Sequence, residues 1–188
     1  MDISMRFPTG LVADDGVKIT VAELAPDGWT ATYDGAATAQ EVTITADAAA
    51  TATVNVNNDY HAKPVTFQLK GKKTFVGETF PAGVTFTFRA VQCDANGTVL
   101  SDPITVTAKT TSPNGEILFS AREFTTAFGE RYYKITEDGT TVPGLITDNS
   151  AYLLYLKVVD DGKGNLQLTH KLSKDGTEIS GGENQTGI

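Results

Sequence analysis

The chain has 188 residues, a formal net charge of −8 and a sequence pI near 4.7. That acidity excludes nucleic acid or an anionic membrane surface as the main partner, because both are polyanions. A single cysteine, Cys93, excludes a disulfide framework and a cysteine-rich metal site, and no cofactor is expected. No apolar run approaches the length of a bilayer span, and no signal peptide stands at Met1. If the parent protein is secreted, the chain is expected to be an excised piece of it.

Residues 1–60 read as a small β segment, close to the lower size limit for a core that stands alone. Residues 3–7 are expected as a short strand and Asp14-Asp15-Gly16 as a turn. Under a period of two, Val17, Ile19, Val21 and Glu23 share one face, which places a carboxylate at the end of an inward row. Asp27-Gly28 turns into a strand over 29–33, and residues 41–46 and 52–60 supply two more. In the last of these, Ala52, Val54, Val56, Asn58 and Tyr60 share a face, so Asn58 points where apolar residues point. Residues 61–64 read as a linker, because Pro64 cannot donate to a sheet and disfavours helix at Lys63.

Residues 65–188 form a second β unit of ordinary domain size. Over residues 65–75, Val65, Phe67, Leu69, Lys73 and Phe75 share one face while Lys70 and Lys72 face the other. An inward lysine is unusual, since a buried ammonium needs a partner or loses its proton. Val84, Phe86, Phe88 and Ala90 alternate next, Asp94-Ala-Asn-Gly97 is a hairpin turn, and residues 99–108 supply a strand or two. Pro113-Asn-Gly115 turns into 116–120, and residues 121–128 are expected as a helical or looped crossover. Tyr133, Ile135 and Glu137 then repeat the pattern of apolar alternation ending in glutamate. Strands over 152–158 and 165–172 flank a hairpin loop at Asp160-Asp161-Gly162, and the Gly-rich stretch 180–186 reads as a loose tail.

Three stretches of this second unit carry a family likeness: Gly71-Lys-Lys73-Thr-Phe-Val-Gly77, Ala82-Gly-Val-Thr-Phe-Thr-Phe88 and Tyr132-Tyr-Lys-Ile-Thr-Glu137. In order and spacing they resemble the isopeptide-containing domains of Gram-positive major pilins and Cna B-type stalk domains. The resemblance implies an all-β fold of tandem immunoglobulin-like sandwiches, the first of them incomplete. It also implies an amide bond between a lysine on the first strand and an asparagine on the last, assisted by an acid. Lys73 occupies the lysine position and Glu137 the acid position. The stretch Val17 to Glu23, the Gly28-Trp29 pair and Val56-Asn-Asn58-Asp-Tyr60 resemble the acid and asparagine strands of a preceding domain, so Glu23 and Asn58 carry over.

The family's closing strand, Phe-x-Asn-x-Tyr in type, does not follow residues 165–172. The chain thus presents an acid and an asparagine without a lysine, then a lysine and an acid without an asparagine. A fragment with ends inside its domains is the preferred account. Strand completion in trans and a meeting of Lys73 with Asn58 stay open. Without the resemblance, Lys73 reads as a snorkelling strand-end lysine, Glu23 and Glu137 as solvated carboxylates, and Asn58 as a turn residue.

The chemistry implied is single-turnover self-modification and not enzymatic turnover. A neutral amine attacks a carboxamide whose carbonyl is polarised by a protonated acid, and ammonia leaves. A bond spanning on the order of 100 residues would add about 4–5 kcal/mol by loop-closure entropy. The implied function is a structural stalk module of an extracellular, cell-wall-anchored pilin or adhesin, with neighbouring pilin domains or subunits as partners. The alternative is an adhesin module that holds a host protein or glycan, favoured if Trp29, Tyr33 or Tyr155 cluster on one surface.

Overall fold

The computed structural model describes residues 16–45, 53–75, 82–111, 114–138 and 148–183. Among these residues there is no helix, and the chain divides into two compact units, Met1–His61 and Ala62–Ile188. The expected strand at 3–7 and the first residues of the Asp14-Asp15-Gly16 turn lie outside the described residues.

The first unit contains β1 (Val17–Val21), β2 (Trp29–Tyr33), β3 (Gln40–Ile44) and β4 (Val56–Tyr60). Antiparallel pairing joins β1 to β3 and β2 to β4. Tyr33 is the buried residue of β2, whereas Trp29 and Val56 remain substantially exposed. The face that carries Val56 and Asn58 is therefore open, although its alternation had suggested an inward row.

The second unit contains β5 (Val65–Phe67), β6 (Lys70–Lys72), β7 (Thr87–Cys93), β8 (Thr105–Thr111), β9 (Glu116–Leu118) and β10 (Arg122–Phe124). It continues with β11 (Phe128–Glu137), β12 (Tyr152–Asp160), β13 (Leu166–Lys174) and β14 (Thr177–Glu183). An eight-stranded antiparallel sheet runs in the order β14-β13-β12-β11-β7-β8-β9-β6, and β5 pairs separately with β10. Ile117 and Phe119 from one end of that order share a core with Leu154, Leu156 and Leu168 from the other. The sheet must therefore curl over itself, as sandwich and barrel sheets do when both ends cover one apolar interior. Strict alternation places Leu154, Leu156 and Val158 inside and Leu153, Tyr155 and Lys157 outside.

Three expectations are corrected. Residues 65–75 are not one strand: the chain breaks at Gln68-Leu69 and changes partners, from β10 to β9. The break is fastened by Phe119, whose backbone N–H donates to the Leu69 carbonyl at 3.0 Å and whose own carbonyl accepts from the Gln68 amide at 3.1 Å. The crossover at 121–128 is β10 and the start of β11, because Arg122, Glu123 and Phe124 find ladder partners on β5 that local propensity could not reveal. The polar tail is ordered as β14 through Glu183, since β13 offers it an open edge.

Candidate functional site

Lys73 is the first residue past β6. Its backbone N–H donates to the Gly115 carbonyl at 2.8 Å, which carries the pairing one step beyond the β6–β9 ladder. Gly115 sits at φ +69, a left-handed conformation in which glycine bears no side-chain penalty, and from it the chain enters β9, which pairs with β8 on one side and β6 on the other. Glu137 ends β11 opposite Phe88 of β7, and its inward position follows from the alternation with buried Tyr133 and Ile135.

These two elements bring the Lys73 Nζ to 2.7 Å from the Glu137 Oε2. The lysine side chain is 14 % exposed and the glutamate side chain 2 %, so the pair lies almost wholly out of water. The second carboxylate oxygen, Oε1, is buried and has no hydrogen-bond partner among the described residues. An unpaired buried oxygen of this kind is costly unless a donor reaches it. Two aromatic rings cover the amine, with Phe86 at 5.3 Å and Phe75 at 5.9 Å from Nζ to the ring centroids. Those rings pack on each other at 5.6 Å.

The pair opens into a pocket of about 310 Å³. Its walls include Lys70, Gly71 and Lys72 of β6 on one side and Ile179 of β14 on the other, with Asp148 and Tyr152 between. Since β6 and β14 are the two edge strands of the curled sheet, the pocket lies in the seam where that sheet fails to close. No asparagine is among its described lining residues. Asn165 is engaged elsewhere, its carboxamide donating to the Asp161 carboxylate at 3.1 Å. The Asp148 carboxyl is held below the usual carboxylate range, mainly by the Ser150 side chain and backbone, with smaller contributions from the Lys174 and Lys73 charges.

In the first unit, Glu23 and Asn58 also meet. The Asn58 carboxamide donates to both Glu23 carboxylate oxygens at 3.1 Å, in an exposed setting. The Glu23 backbone N–H donates to the Tyr33 hydroxyl at 2.6 Å, which ties the loop after β1 to the end of β2. Each pairing thus sits within its own unit, Lys73 with Glu137 and Glu23 with Asn58. Sequence reasoning assigned no role to Phe75 or Phe86, although both stand on inward faces of alternating stretches. It did not mark Asp148, which sits in a loop with no periodic signal.

A search of curated proteins returned no match to the chain. A scan against protein-family models matched residues 69–185 to FctA, described as the Spy0128-like isopeptide-containing domain. The matched span contains the enclosed lysine, its buried acid and the strands that bring them together. The chain belongs to this family of pilin-type isopeptide-containing domains, structural components of cell-surface pili.

Proposed function

We propose that the second unit is a pilus-stalk module in which Lys73 forms an amide bond with an asparagine side chain carried on an extended strand in the β6–β14 seam. The carrying observation is the 2.7 Å contact between an enclosed amine and a buried acid that open together into a strand-sized gap. Among the described residues neither β6 nor β14 has a strand on its seam side, and strand addition would supply hydrogen bonds to such edges. A carboxamide NH₂ aimed at Glu137 would also satisfy the orphaned Oε1.

Covering the pocket removes the last water from the ion pair, which favours transfer of the ammonium proton to Glu137 across their hydrogen bond. The free Lys73 amine then attacks the carboxamide carbon, a C–N bond forms, and the bond to the amide nitrogen breaks. Glu137 gives its proton to that nitrogen, ammonia leaves, and the carboxylate then takes the surplus proton from the Lys73 nitrogen, so that a neutral amide and a protonated Glu137 remain. Fixed strands replace a bimolecular encounter by proximity. In the first unit, Glu23 and Asn58 form the acid and acceptor half of the same arrangement, awaiting a lysine.

Intact mass tests the proposal, measured on the protein extended past Ile188 and on the 188-residue chain mixed with peptides of the following sequence. Loss of one ammonia per bond, abolished by Lys73→Ala or Glu137→Ala, is the expected result. Unchanged mass in both arms would refute it, and a change in the second arm alone would assign the strand to another chain. The ligand-binding alternative is less well supported. Tyr33 is buried, and the Tyr132 and Tyr155 hydroxyls both donate to Glu130.

A further inference from the structure

Phe86 lies immediately before β7, yet its ring is held at a fixed place over the Lys73 amine and is only 2 % exposed. Thr110 holds its backbone at two points. The Thr110 backbone N–H donates to the Phe86 carbonyl at 2.9 Å, and the Phe86 backbone N–H donates to the Thr110 Oγ1, also at 2.9 Å. The β7–β8 register sets Phe88 opposite Ala108 and Thr87 opposite Lys109, so Phe86 and Thr110 come next. In a regular antiparallel pair the Phe86 N–H would seek the Thr110 carbonyl. Here the side-chain hydroxyl takes that place. The regular β7–β8 ladder gives way at this pair to a side-chain contact. Thr110 is itself buried, and its backbone also pairs with Ile117 of β9, next to the Ile117–Gly71 pair. Its position is therefore fixed by the same strands that present Lys73.

We infer that Thr110 is a positioning residue for the Lys73 amine, acting through Phe86. The hydroxyl holds the Phe86 backbone, the backbone places the ring, and the ring bars water from Nζ while offering its π-face to the charge. Isosteric Thr110→Val removes the acceptor and leaves the Phe86 N–H without its bond, so the ring loses its anchor and water reaches the amine. Thr110→Ser keeps the hydroxyl and with it the anchor. The inference rests on the reading of Lys73 as an enclosed reactive amine.

The test is acetylation of the whole chain by a water-soluble active ester, quantified by mass spectrometry at Lys73, Lys72 and Lys134. In the native protein Lys73 is expected to react several-fold more slowly than exposed Lys72. Thr110→Val should raise the Lys73 rate several-fold and leave Lys134 unchanged, while Thr110→Ser stays at the native rate. Phe86→Leu, which keeps apolar bulk without the ring, should reproduce the rise. An unchanged Lys73 rate in Thr110→Val, or an equal rise at all three lysines, overturns the role of Thr110. Equal rates at Lys73 and Lys72 in the native protein overturn the enclosed-amine reading instead, and the inference with it.

Discussion

Removing Lys73 without removing Glu137 would leave a carboxylate that is 2 % exposed with neither of its oxygens paired. Breaking a buried ion pair from one side costs about 3–5 kcal/mol, because the remaining charge stays desolvated. Lys73→Met is expected near the lower end, about 3 kcal/mol, since the 14 % exposure of the lysine gives water a route to the acid. Glu137→Leu should cost less, roughly 1–2 kcal/mol, because the freed ammonium can swing its flexible stem toward that opening. In the double variant no charge is left in the pocket, and stability should return to within about 1 kcal/mol of the native chain. The pair would then show a coupling of about 3 kcal/mol or more. Urea unfolding followed by far-ultraviolet circular dichroism measures all four proteins, after intact mass confirms that none carries an amide crosslink. Trp29, the single tryptophan, lies in the first unit, and its fluorescence serves as an internal control. If the double variant loses the sum of the two single losses, or if Lys73→Met costs nothing measurable, the ion pair is not buried as described.

Two predictions concern pH. Burial pushes the His170 imidazole below its ordinary value of 6.5; the residue is 1 % exposed, packs on Phe67, and its Nδ1 has no partner among the described residues. The unfolded chain therefore takes up this proton first, so the contribution of His170 to stability is intact above about pH 6.5 and declines as pH falls below it. Melting curves at about pH 7.5 and about pH 5 should diverge less for His170→Leu than for the native chain, and equal divergence would exclude the histidine as the source. Backbone N–H groups of Lys163 and Asn165 hold the Asp161 carboxyl down, to a pKa of about 2. Its ordering of the β12–β13 loop should persist above the usual carboxylate range and fail only as pH falls through that value. A carboxyl-carbon NMR titration reads the midpoint directly, and one near 3.8 would contradict the loop geometry.

Alternation was enough to place Lys73 and Glu137 inward. A period of two assigns faces without reference to partners, and the neighbours of each residue on its own face are apolar. The same reasoning overstated Asn58, which is exposed together with Val56 while Tyr60 on the same face is only half-buried. It also missed β10 and the full extent of β14, short or polar segments that are strands only because β5 and β13 offer edges to pair with. Phe86 was assigned to the correct face, but nothing in the chain announces that a threonine 24 residues away would fix its ring over the amine.

What the sequence determined unaided is the all-β class, the inward direction of the lysine and of the acid, and the family motifs that link them. These are properties of local periodicity and side-chain chemistry. Only the tertiary structure decided that the two side chains, 64 positions apart, stand 2.7 Å from each other beneath two phenylalanine rings. It alone placed the pair at an open seam between β6 and β14. The reason is physical: which strand edges meet depends on how a sheet curls over its core, a sum of long-range contacts that no single stretch of chain encodes.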